Sequence, residues 1–323
     1  MDNRVDLFCI LFSFVFLLLT VTSGSTVAGI VRHDTSDQYY RELAEQYPSV
    51  GRIWSGAEDG GSGQYSSGTL IGSRWVLTAA HTIVGSRNHF LIDGVIYDAD
   101  RVVIHPDWSG SVFRGNDLAL VHLDRPVVGV NPAVIDVSAQ VLGEVTTFVG
   151  FGRTGHGLSG PTSNFGQKIA GHNTLDEVGS DFWFLLDDSL LMADFDYPYP
   201  LELALPANSA FGDTAIPTIL AGDRRINRMG AADPLALEML PTIGDSGGGV
   251  FAEINGDSVL IGTISMNLAW DGSNNSSYTD MVGVVRLSHA GDWITSYIPE
   301  PGAFSVLFLS GAIALARRPR SGI

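Results

Sequence analysis

Cysteine is almost missing from this chain: Cys9 is the single one in 323 residues, and it lies in an N-terminal apolar run. A disulfide framework is therefore excluded, and the folded body must rely on its core. Lysine is equally scarce. Lys168 stands alone, so the basic residues are almost all arginine. Basic residues number 18 against 35 acidic ones, for a formal net charge of −17. Such a surface repels nucleic acid, and no basic stripe offsets it. No phosphate-binding loop, zinc spacing or other cofactor motif is present, so no cofactor and no metal are expected. Internal repeats and heptads are absent as well. Charged residues make up only 16% of the chain and hydrophobic ones 45%, enough for a large core in one or two domains.

What the chain does have is glycine, 38 residues of it, which suits a loop-rich β protein. Strand-like runs occur at Val50 to Trp54, Ser67 to Ile71, Trp75 to Thr78, Phe90 to Ile92, Ala99 to His105 and Leu118 to Leu123. Others follow at Glu144 to Gly150, Phe182 to Leu186, Val259 to Met266 and Met281 to Leu287. Gly72-Ser73-Arg74 is a hairpin signal between the second and third of these. Many short strands separated by turn residues predict an all-β barrel or sandwich. Two helices are expected. One is amphipathic and capped by Asp37, within Arg32 to Tyr47, and one closes the body at Leu287 to Tyr297. Residues 154–235 read as long loops. The acids Asp187, Asp188, Asp194 and Asp196 there are solvated loop residues rather than a cation site.

The two ends have their own character. Leu7 to Val21 is nearly all apolar and is followed by small residues up to Ala28. This reads as a secretory signal peptide over residues 1–28, cut after Ser23 or Ala28, with an uncleaved anchor as the alternative. At the other end come Pro299-Glu300-Pro301, an apolar run from Gly302 to Ala316, and Arg317, Arg318 and Arg320. The run is short against the roughly twenty residues of a full span, and the arginines favour the cytoplasmic side. Residues 298–323 resemble a bacterial PEP-CTERM sorting tail. That resemblance implies recognition by an exosortase-type membrane enzyme, with cleavage near Pro299 to Pro301. It also implies transient membrane anchoring and residence at the surface or in the matrix of a Gram-negative-type bacterium. An ordinary C-terminal anchor is the alternative.

Chemistry concentrates at Gly244-Asp245-Ser246-Gly247-Gly248-Gly249. Glycines permit a tight turn that presents the Ser246 hydroxyl, with the Gly244 and Ser246 N–H groups free to meet an oxyanion. Serine needs a base. His81 ends the run Trp75 to Ala80, and an imidazole titrating near neutrality suits that role. Asp117 opens the apolar strand Leu118 to Val121 and can orient the imidazole by accepting its N–H.

Thr78-Ala79-Ala80-His81, Asn116-Asp117-Leu118-Ala119-Leu120 and Gly244-Asp245-Ser246-Gly247-Gly248 resemble the three signatures of the trypsin/chymotrypsin family, in that family's chain order. Gly150-Phe151-Gly152, Leu260 to Ser265, Gly283-Val284-Val285 and Trp293-Ile294 extend the likeness across residues 50–297. The resemblance implies two antiparallel six-stranded β-barrels with a short C-terminal helix, preceded by a lead segment at 29–49 and interrupted by a long insertion at about 153–235. It implies a catalytic triad of His81, Asp117 and Ser246 and an oxyanion hole of Gly244 and Ser246. Substrate-binding positions would be Leu240 at the base of the specificity pocket, then Ser265, Met266, Asn267 and Gly283, with Ser265 to Asn267 pairing to an extended peptide. The partner is then a protein or peptide substrate, cleaved through an acyl-enzyme.

Departures from the family pattern sharpen the expectations. Leucine at 240 removes the acid that would pair with a basic side chain, so cleavage after Arg or Lys is disfavoured and a medium apolar residue preferred. Thr242 replaces a customary cysteine, and Met266 a customary tryptophan. Ile30-Val31 is a candidate new N-terminus that would pair with Asp245; the alternative is a start elsewhere, with Asp245 satisfied internally. A different class of reading is a catalytically idle protease-like domain in adhesion or matrix assembly.

Overall fold

The computed structural model describes residues 29–58, 60–163, 167–198, 234–269 and 276–298. Residues 1–28, expected as a signal peptide, the expected sorting tail beyond Ile298, and residues 199–233 of the expected insertion lie outside the described residues. Among those described, no helix is long and apolar enough to cross a membrane.

Seventeen strands follow in chain order. They are β1 (Gly29–Val31), β2 (Val50–Gly56), β3 (Gly63–Gly72), β4 (Trp75–Thr78), β5 (Arg87–Ile92), β6 (Val95–Ile104) and β7 (Ala119–Leu123). Next come β8 (Val145–Gly150), β9 (Thr154–His156), β10 (Gly160–Ser163), β11 (Ile169–Thr174), β12 (Glu177–Val178) and β13 (Leu190–Asp194). The last four are β14 (Met239–Leu240), β15 (Gly249–Ile254), β16 (Asp257–Leu268) and β17 (Met281–Arg286). Among the described residues, three short α-helices accompany them: α1 (Asp37–Ala44), α2 (Gly179–Phe182) and α3 (Gly291–Tyr297).

The first half closes into a six-stranded barrel in the order β2-β3-β4-β7-β6-β5. All its pairs are antiparallel. Alternation along the strands sends Ile53, Leu70, Val76, Phe90, Val121 and Leu123 into its interior, where none of them is exposed. The second half is a seven-stranded sheet, β11-β8-β15-β16-β17-β13-β12. Its curl brings β11 back toward β13, where Asn173 Nδ2 donates to the Asp194 carbonyl at 2.6 Å. A third cluster, including Leu77, Leu118 and Leu120 of the first half and Val149, Met192, Phe251 and Val285 of the second, joins the two. Ile294 and Ile298 from α3 and its end seal that cluster.

A small sheet, β10-β9-β1-β14, ties the lead segment in. β1 runs parallel to β9 and antiparallel to β14, with Ile30 opposite Leu240. Helix α1 is capped by Ser36, whose Oγ accepts from Gln38 N at 3.3 Å. Asp37, expected as the cap, is instead the first helical residue, and His156 Nε2 lies 3.2 Å from its Oδ1. Phe182 to Leu186, expected as a strand, is the end of α2 and a turn. Trp183 N donates back to Gly179 O, and Phe184 is exposed. The strand lies further on at β13, where every residue is buried.

Candidate active site

His81 follows β4 on a single 3-10 turn, Ala80–Thr82. Thr82 Oγ1 braces this turn by donating to Ala79 O at 2.7 Å. Asp117 follows two residues of positive φ, Gly115 at 64° and Asn116 at 53°. A side chain at Gly115 would collide with Ser189 Oγ, so glycine is required there on both counts. That turn aims a fully buried carboxylate at the imidazole. Asp117 Oδ2 lies 2.6 Å from His81 Nδ1, and Oδ1 accepts from His81 N at 2.9 Å. Ser265 Oγ donates to the same Oδ2 at 2.6 Å. Ser265 stands where the register of β16 against β17 shifts between Ile264 and Met266. Such a bulge turns a side chain out of the ladder, here toward the aspartate. A buried carboxylate with three donors is satisfied, and His81 is held with Nδ1 on the acid and Nε2 free for chemistry.

Ser246 comes from the second half, on a loop between β14 and β15. Gly244 at φ 97° and Gly247 at φ 84° shape that loop. Its anchors cross between the halves. Ser67 N donates to Ser246 O at 2.9 Å, and Ser67 Oγ donates to Gly244 O at 2.9 Å. Gly247 N donates to Ile264 O at 2.8 Å. The carboxyl of Asp245, wholly buried, takes Gly152 N at 2.7 Å and Thr242 N at 2.8 Å. Burial raises its pKa to about 7, and the two amide donors oppose that rise. Ile30, meanwhile, lies mid-strand in β1 with partners on both sides. The N–H groups of Gly244 and Ser246 have no hydrogen-bond partner among the described residues, which leaves them available to an oxyanion. No hydrogen bond joins Ser246 Oγ to His81. Nucleophile–base contacts are often slack before substrate arrives.

A cavity of about 130 Å³ opens beside Ser246, lined by Thr242, Ile243, Ser265, Met266, Asn267 and Ser276. Two residues expected at the pocket are not in its lining. Leu240 is fully buried in the second-half core, where its β14 strand pairs with β1. Gly283 lies under Met266, and a Cβ there would come within 2.8 Å of that side chain. Its glycine makes room for the methionine. Conversely, Ser67, Thr242, Ile243 and Ser276 shape the site and were not singled out as site residues from the sequence. Ser67 sits in an ordinary-looking strand, and only the fold brings it to residues 244–246.

Close to β14 lies a group of acids; Asp194 and Asp196, expected as solvated loop residues, are both buried, Asp194 at the end of β13. Burial, reinforced by Asp196, Asp176 and Glu238, pushes Asp194 up to about 9. Burial and Asp196 push Glu238 up to about 8, and burial lifts Asp176 to about 7. Glu238 accepts from Asp196 N at 2.7 Å and from Leu235 N at 3.0 Å. Among the described residues, no three His, Cys, Asp or Glu side chains are arranged to hold a metal.

The family model described as Trypsin matches residues 45–173. Complement C1s subcomponent of Sus scrofa is 38% identical over 79 residues, 19% of this chain and 12% of the relative. Chymotrypsin-like elastase family member 1 of Macaca fascicularis is 37% identical over 81 residues, 21% of this chain and 30% of the relative. The chain thus spans less than a third of the length of either relative. A solved HL collagenase structure superposes with a TM-score of 0.54 at 16% identity, covering 84% of this chain and 97% of that one. At that identity the likeness establishes the fold, which is trypsin-like. The family and sequence matches support a trypsin-family serine protease domain.

Proposed function

We propose that this chain is a serine endopeptidase. Ser246 attacks the peptide carbonyl while His81 Nε2 takes its proton, and Asp117 stabilises the imidazolium that forms. The Gly244 and Ser246 N–H groups bind the oxyanion of the tetrahedral intermediate. His81 then gives the proton to the leaving amine, and an acyl-enzyme remains on Ser246. Water, deprotonated by His81, attacks the ester and releases the acid.

The observation that carries this reading is the buried Asp117 fixing His81 at 2.6 Å, beside a serine flanked by two free N–H groups. The described lining of the cavity holds no charged side chain, which supports the expectation that basic residues are not selected. Export through the N-terminal run is part of the proposal. So are sorting and transient membrane anchoring through residues 298–323 by an exosortase-type enzyme, with residence at the bacterial surface.

A catalytically idle domain is the second reading, and the missing Ser246–His81 hydrogen bond favours it. One experiment separates them. A fluorophosphonate probe should label the purified protein on Ser246, and casein hydrolysis should vanish in Ser246→Ala. An unlabelled protein, or full activity in Ser246→Ala, overturns the mechanism.

A further inference from the structure

We infer that the cavity beside Ser246 selects a small, uncharged side chain on the acyl side of the scissile bond, and that Asn267 and Ser276 set that limit. The inference rests on the endopeptidase reading and goes beyond it.

The cavity has two facing walls. One is the approach to Ser246, Thr242 and Ile243. The other is the end of β16, Met266 and Asn267. The Asn267 amide bridges them, donating to Pro241 O at 2.5 Å and to Ser276 Oγ at 3.1 Å. Ser276 Oγ passes the link on, donating to Thr242 Oγ1 at 3.0 Å. Three lining side chains are therefore tied to one another, which fixes the wall of the cavity. Ser276 is almost fully buried and sits at φ 53°, a conformation unusual for serine, and these bonds hold it there.

The volume makes the consequence quantitative. Ligand pockets commonly run from about 300 to 1,000 Å³, and an apolar cavity of about 150 Å³ just admits benzene. The cavity here is about 130 Å³. An aromatic ring with its methylene does not fit unless the bridge breaks. A Lys or Arg side chain would find no counter-charge in the described lining, and an unpaired buried charge is costly. Alanine, serine, threonine and valine fit. This is smaller than the medium apolar side chain expected when Leu240 was placed at the pocket base, because Leu240 is committed to the core.

The test uses the purified full-length protein and a series of peptide substrates differing only at the acyl-side residue: Ala, Val, Leu, Phe and Arg. Fluorophosphonate labelling is measured on the same samples. The expected kcat/KM for Ala and Val exceeds that for Phe and Arg by about 10-fold or more, as size exclusion in a packed pocket typically gives. Asn267→Gly should raise the Phe-to-Ala ratio by about 10-fold. Ser276→Gly should move the ratio the same way. Glycine adopts the positive φ at 276 without strain, so this variant covers the case in which Asn267→Gly misfolds. A wild-type preference for Phe or Arg overturns the inference. So does an unchanged ratio in the folded variants with Ser246 still labelled, and that result leaves the endopeptidase reading standing. Absence of both labelling and hydrolysis overturns the two together.

Discussion

The two halves of the molecule solve burial differently. The first is a closed barrel whose interior is apolar, and among its described acids and histidines Asp117 and His105 are the buried ones. Asp117 is matched by three donors. The second half buries Asp194, Asp196, Glu238, Asp245 and Asp280, and burial holds several of these carboxyls protonated far above the usual range. One half therefore supplies the proposed base and its orienter. The other supplies the loop of the proposed nucleophile, where burial raises the Asp245 carboxyl to about 7. The site is assembled across the contrast: His81 and Asp117 from one side, Ser246 and Ser265 from the other.

The contrast can be broken most severely from the rigid side. Asp117→Asn leaves the barrel core intact but presents the wrong hydrogen-bond pattern to His81. Steady-state kinetics should show kcat down by about 10³- to 10⁴-fold with little change in KM. Next in size is the seam between the halves. Gly247→Ala adds a Cβ at φ 84°, 2.1 Å from Thr78 Oγ1 and 2.3 Å from Ser67 O, both across the seam. Urea unfolding should register a loss of about 2–4 kcal/mol, together with most of the activity.

The smallest effect sharpens the comparison through pH. A carboxyl whose folded pKa is raised contributes stability that is complete below its unfolded value and lost as pH rises through the folded one. For Glu238 the window runs from 4.5 to about 8. Stability of the Ser246→Ala protein, used to prevent self-digestion, should therefore fall between pH 5 and pH 9. Glu238→Gln should reduce the total fall in stability across that range. Asp194→Asn should act in the same direction, with its window reaching about 9. Identical slopes in wild type and both variants would dismiss the buried acids as the cause.

Much of the site was legible because its chemistry is locally encoded. The turn before Asp117 needs Gly115, and the nucleophile loop needs its glycines, so both appear as short motifs. The barrel strands were legible through alternation. What escaped depends on contacts between distant segments. Asn267 meets Pro241, and Ser276 meets Thr242, only because β16 ends beside the nucleophile loop. Ser67 reaches residues 244–246 only across the seam. The family resemblance implies Leu240 at the pocket base, yet pairing with Ile30 draws it into the core. Phe182 to Leu186 looked like a strand because aromatic runs favour strands, while a turn of helix leaves Phe184 in solvent.

The lodging of β1 between β9 and β14 has a consequence in time. Ile30 is among the first of the described residues to be synthesised, and its partner Leu240 among the last third. Contacts so distant in sequence are closed late in folding. Until Leu240 arrives, β1 has β9 alone to pair with in its sheet. Docking of β1 and completion of the strand before the Ser246 loop are therefore one long-range event.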